Sequence, residues 1–164
     1  MAWDMKTLRA HLLRTSSTIE DAGEAGEQLT QRLLDDVGFS WYFVDQDAKT
    51  KSKRLTKSGA KRIDFVVAFE GVSLLLDAKC LKAHTRTDNS VTFALTVEEV
   101  ESLNATAKEF GLKAAVIFWD RKAHDATYVI DFVERLKDPV FIKEKNALAA
   151  TFESSEIITV KFSR

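Results

Sequence analysis

Two apolar runs, Ile63-Asp64-Phe65-Val66-Val67-Ala68-Phe69 and Val72-Ser73-Leu74-Leu75-Leu76-Asp77-Ala78-Lys79, are separated only by Glu70-Gly71. No other feature of the chain restricts its fold so tightly. A two-residue connection ending in glycine between strand-like runs predicts a β-hairpin. That turn sets Phe69 opposite Val72, and the same register brings Asp64 directly opposite Asp77. Facing residues of an antiparallel pair have Cβ atoms roughly 4.5–5.5 Å apart, and like charges at that range repel unless a proton or a cation is shared. Lys79, two residues beyond Asp77, points to the same face. Val66, Ala68 and Leu75 share that face, which predicts partial burial of the acids. A three- or five-residue loop would shift the facing pairs and separate them.

Two carboxylates and a lysine on one patch suit a divalent-metal site for phosphodiester chemistry. Such a cation takes more oxygen ligands than one facing pair supplies, so a further acid is expected. The candidates lie on a helix predicted over residues 19–37, where Ile19, Ala22, Gly26, Leu29, Leu33 and Val37 recur at helical spacing. Glu24 falls opposite the apolar stripe and Glu20 near the frayed start. Glu27 flanks the stripe beside Leu34, where a side chain can reach along a sheet surface, and is the choice.

The composition sets the frame for this site. With 164 residues and 45% hydrophobic content, one globular domain with a sizeable core is expected. A single cysteine, Cys80, excludes an intrachain disulfide, and the three isolated histidines argue against zinc. No apolar run is long enough to span a bilayer, and no signal-peptide core opens the chain, so a soluble cytoplasmic protein without a membrane partner is expected. The net charge of −1 hides a segregated layout. Lys49, Lys51, Lys53, Arg54, Lys57, Lys61 and Arg62 follow one another with no acid between, whereas Glu20 to Asp36 is acidic save for Arg32. Residues 45–61 are predicted as a basic loop, too long for a mere connection and leading straight into the Asp64 strand. Lys82, His84 and Arg86 mark a second polar loop over 82–89.

Elsewhere, a short leading helix is predicted over 5–14, and Gly38 as a left-handed cap ends the helix that carries Glu27. Trp41–Val44 forms a first strand, and Val91–Leu95 either a short strand or an extended lead-in. Thr96 caps a helix to Phe110, with Glu99 completing a capping box and Gly111 ending it. Ala114–Trp119 and Thr127–Ile130 are buried strands. Asp131 caps a helical turn through Leu136, and Val140–Ile142 and Ile157–Phe162 are short strands. The expected fold is α/β, a mixed sheet flanked by helices.

Taken together, Glu27, then Arg62-Ile63-Asp64-Phe65, then Asp77-Ala78-Lys79 resemble the PD-(D/E)xK nuclease superfamily. Within it, the outline is similar to archaeal-type Holliday junction resolvases and their phage or restriction-endonuclease-like relatives. Gly23 before Glu27, Gly38-Phe39 after it, and the runs from Leu95 to Val100 and from Phe110 to Val116 fit that branch. Two positions depart from its pattern: Ile63 stands where proline is common, and Asp77 where glutamate is common. The resemblance covers about residues 20–130 of a single nuclease-like domain over 1–164, with a restriction-endonuclease-like mixed sheet. It implies a Mg²⁺- or Mn²⁺-dependent DNA endonuclease in which Glu27, Asp64, Asp77 and the Ala78 carbonyl hold metal and Lys79 is catalytic. Products would end in 5′-phosphate and 3′-hydroxyl. Lys51, Lys53, Arg54, Lys57, Lys61, Arg62, Lys82 and Arg86 would grip DNA, with Arg62 opposite Lys79 and near the phosphate. Branched DNA is the first expected substrate and duplex DNA of restriction or repair type the second, with a homodimer as the expected assembly. The alternatives are a non-catalytic nucleic-acid-binding module that keeps the fold, and a domain that binds Ca²⁺ structurally.

Overall fold

A computed structural model describes residues 26–44, 51–121 and 126–160, together with Lys6, Leu8 and Ala10, which are helical as the leading-helix expectation requires. The start of the helix predicted over 19–37, including Gly23 and Glu24, lies outside the described residues. Its described part, α1 (Gly26–Asp36), buries Leu29, Leu33 and Leu34. It ends as expected at Gly38, which has φ +78°, with Phe39 N–H donating to the Leu34 carbonyl and Gly38 N–H to that of Asp35.

The central sheet is mixed. Its order is β1 (Ser40–Phe43), β2 (Phe65–Phe69), β3 (Val72–Leu81), β6 (Ala114–Asp120), β7 (Ala126–Phe132) and β10 (Ile158–Val160). Only β3 and β6 run parallel. Glu70 and Gly71 both have positive φ, 49° and 78°, the backbone a tight two-residue hairpin demands. The register pairs Phe69 with Val72 and Phe65 with Leu76, as the turn predicted.

Both faces of this sheet are covered, which is why its strands lack polar alternation. Leu74, Leu76, Ala78, Ile117, Trp119 and Tyr128 join the α1 residues in one core. Leu75, Val116, Phe118 and Val129 form another with α3 (Val97–Phe110) through Val100 and Leu103. The predicted capping box is present: Glu99 N–H donates to Thr96 Oγ1, and Thr96 N–H to Glu99 Oε2. Gly111 closes α3 at φ +63°.

A second, antiparallel sheet of order β4 (His84–Thr85), β5 (Val91–Thr96), β9 (Lys145–Phe152) and β8 (Asp138–Ile142) packs into the same core through Phe93, Leu95, Ala150 and Phe152. The sequence reading did not anticipate this layer. Strand β9 contains Ala147-Leu148-Ala149-Ala150, which has little intrinsic strand preference and pairs on both sides with β5 and β8. The expected 82–89 loop thus contains a short strand paired with β5. Within the expected 45–61 loop, Lys53–Lys57 form a short helix, α2, capped by the Ser52 side chain. Residues 45–50 lie outside the described residues. Asp131 belongs to β7 and bonds the Phe132 N–H, while the turn after it is a 3₁₀ helix over Val133–Arg135. Among the described residues no helix is long and apolar enough to cross a membrane.

Candidate active site

The site arises where the hairpin ladder ends. In a two-residue hairpin the closing pair exchanges hydrogen bonds, and so does every second pair after it. That series runs Phe69–Val72, Val67–Leu74 and Phe65–Leu76, and its next member would be Ile63–Ala78. The ladder instead stops at Phe65. The Asp64 side chain takes the vacated role: its Oδ2 accepts the Ala78 N–H at 2.8 Å. The Asp64 carbonyl meanwhile accepts from Val44 N–H, extending the β1 side. Beyond Leu76, β3 therefore keeps β6 on one flank and parts from β2 on the other. The acid-x-lysine triplet lies along that parting.

Asp77 is fully buried on the face covered by α3. Lys61 Nζ lies 2.8 Å from its Oδ1 and Lys79 Nζ 3.0 Å from its Oδ2. Both are ion pairs by distance, yet neither meets hydrogen-bond angles, so the two oxygens lack a directed donor. Lys79 also lies 3.7 Å from Glu99 Oε1. Burial alone would lower the Lys79 ammonium, but the charge of Asp77, with Glu99 behind it, holds it above the ordinary lysine value. Asp64 is 8% exposed. Burial first, and the neighbouring Asp77 charge second, raise its carboxyl to about 6.

The side chains expected together are thus partly gathered. Asp64, whose side chain bonds the Ala78 N–H, and Lys79, 3.0 Å from Asp77, both lie beside Asp77. Helix α1, however, covers the opposite face of the sheet. Its first described residue, Gly26, fits so closely against the Lys79–Cys80 backbone that an added Cβ would sit 3.1 Å from the Cys80 Cβ. Glu27 follows, with its side chain exposed. Among the described residues no three His, Cys, Asp or Glu side chains converge closely enough to hold a metal ion.

Two residues carry contacts that sequence reasoning did not assign. Parity along an unbroken strand pointed to Arg62 as the neighbour of Lys79. Because the ladder breaks after Phe65, it is Lys61 that reaches Asp77. Its backbone is held by α3, with Thr106 Oγ1 donating to the Lys61 carbonyl at 2.8 Å and Lys61 N–H to the Ser102 carbonyl at 3.5 Å. Glu99, foreseen only as a capping residue, uses its other oxygen to face Lys79. No periodic signal announces either contact. Of the remaining basic candidates, Lys53, Arg54, Lys57, Lys82 and Arg86 are exposed, and Lys51 and Arg62 half-buried. Arg54 pairs with Glu109 at 2.8 Å, which ties α2 to the end of α3.

No family model matches the chain, and no curated protein does. Among solved structures it is similar to Hjc, a Holliday junction resolvase from the archaeal hyperthermophile Archaeoglobus fulgidus. The two are 20% identical with a TM-score of 0.52, over 83% of this chain and 93% of that one. The fold of this chain is accordingly restriction-endonuclease-like, a mixed β-sheet flanked by helices, as in that structure.

Proposed function

We propose that the chain is a metal-dependent DNA endonuclease that hydrolyses phosphodiester bonds, with branched DNA such as a four-way junction as its first substrate and duplex DNA as its second. The observation that carries this reading is the buried Asp77, flanked by Asp64 and by Lys79 at the point where β3 parts from β2.

A hard divalent cation fits these residues. Asp77 presents two buried oxygens without a directed donor, and Asp64, raised first by burial and then by the Asp77 charge, places a second carboxylate beside it. Asp64, Asp77 and the Ala78 carbonyl would hold Mg²⁺ or Mn²⁺, with Glu27 joining from α1. A bound cation supplies a more acidic water and neutralises charge on the scissile phosphate. The remaining work belongs to the chain. Lys79, fixed between Asp77 and Glu99, orients the attacking water and stabilises the extra negative charge of the transition state. Lys51, Lys53, Arg54, Lys57, Lys82, Arg86 and Arg62 bind backbone phosphates, which sets affinity without reading sequence. A homodimer would serve symmetric cutting of two strands.

A second reading is a nucleic-acid-binding module that keeps the fold without catalysis. It draws on the two ammonium groups that already neutralise Asp77. One experiment separates the readings: labelled four-way junction, duplex and single-stranded DNA are incubated with and without Mg²⁺, alongside Asp77→Ala and Lys79→Ala. Mg²⁺-dependent cleavage that falls at least about 100-fold in both variants is expected. Binding without cleavage in the wild type favours the second reading and ends the first.

A further inference from the structure

Each oxygen of Asp77 has an ammonium group at ion-pair distance, so a cation that ligates Asp77 arrives directly beside one of them. The two lysines are not equally held. Lys79 projects from β3 itself and has a second acid, Glu99, at 3.7 Å. Among the described residues, the Lys61 ammonium has Asp77 as its sole ion-pair partner, and its side chain is 26% exposed. The Lys61 backbone is fixed to α3 through Thr106 and Ser102, so the four-carbon side chain can swing while its segment stays in place. A divalent cation arriving beside Asp77 would also repel the ammonium at that oxygen.

We propose that Lys61 is an internal counter-ion that holds the metal's place on Asp77 Oδ1 and is exchanged for the divalent cation. It is a positioning residue: in the metal-free protein it neutralises a buried acid that would otherwise be left with one partner. Metal entry releases its ammonium from Asp77. The inference rests on the nuclease reading but makes a separate claim, that metal affinity is set by competition with this side chain.

Mn²⁺ binding, followed by electron paramagnetic resonance and calorimetry on the wild type, Lys61→Met and Asp77→Asn, tests it without any cleavage assay. Lys61→Met is expected to bind Mn²⁺ roughly tenfold more tightly than wild type, while its metal-free form melts at a lower temperature. Equal or weaker binding by Lys61→Met, with binding lost in Asp77→Asn, overturns the counter-ion role and leaves the nuclease reading standing. Absence of binding in all three overturns both. The wild type gives a check that needs no stable Met variant. In ¹⁵N-lysine spectra assigned with Lys61→Arg, the Lys61 ammonium should be protected from exchange without metal and lose that protection on Mg²⁺ saturation. Protection retained at saturation overturns the proposal.

Discussion

Asp64 shows how one side chain can be both a structural bond and a source of strain. Its Oδ2 replaces a ladder carbonyl at the Ala78 N–H, yet burial and Asp77 raise its carboxyl to about 6. A raised carboxyl means that the folded chain holds a proton the unfolded chain releases near pH 4. The associated stability is full below about pH 4 and is lost as pH rises through about 6. At pH 8, without metal, the charged form costs up to ~3 kcal/mol, less what solvent at the site screens. Asp64→Asn keeps an acceptor for Ala78 and removes the charge. It should stabilise the metal-free protein by ~1–2 kcal/mol at pH 8 and by almost nothing at pH 4, read by urea unfolding in a chelator. A gain that does not shrink on acidification would contradict the electrostatic origin. The hairpin and its register were legible in the sequence because a two-residue turn leaves only one register. The identity of the lysine on Asp77 was not, because alternation says nothing once the ladder breaks.

Helix α3 organises the site from outside it. Its first turn places Glu99 beside Lys79, and its middle holds the Lys61 backbone through Thr106 and Ser102. Thr106 also bonds the Ser102 carbonyl and is buried. Thr106→Val should cost about 1–2 kcal/mol, because the Lys61 carbonyl loses its donor, and it should slacken the Lys61–Asp77 pair. The slackening would appear as tighter Mn²⁺ binding if Lys61 competes with metal. Thr96→Ala breaks the capping box and should cost ~1 kcal/mol in thermal or urea unfolding. The ends of α3 were readable from Thr96, Glu99 and Gly111, since capping is local chemistry. Strand β9 was not readable: its alanines favour no strand, and only the partners on either side make it one.

Across the whole molecule, the basic segment is an appendage of α3 rather than a free loop. Arg54 on Glu109 and Lys61 on α3 tie it down, leaving Lys53 just before Arg54 and Lys57 between the two exposed. If these lysines meet phosphates, Lys53→Ala and Lys57→Ala should each weaken DNA binding about equally for all sequences. Each should also lower the slope of log affinity against log salt by about 1. Fluorescence anisotropy over a salt series measures both, and an unchanged slope would remove the segment from the DNA interface.

The sequence by itself determined the hairpin, its register, the ends of α3 and the mixed character of the sheet. Those depend on turn geometry, capping and apolar runs, which act over a few residues. Only the tertiary structure decided that α1 and α3 cover opposite faces, that the Glu27 side chain is exposed, and that Lys61 meets Asp77. Each of these follows from where one layer comes to rest on another and where a strand leaves its neighbour, and those outcomes depend on contacts between segments far apart in the chain.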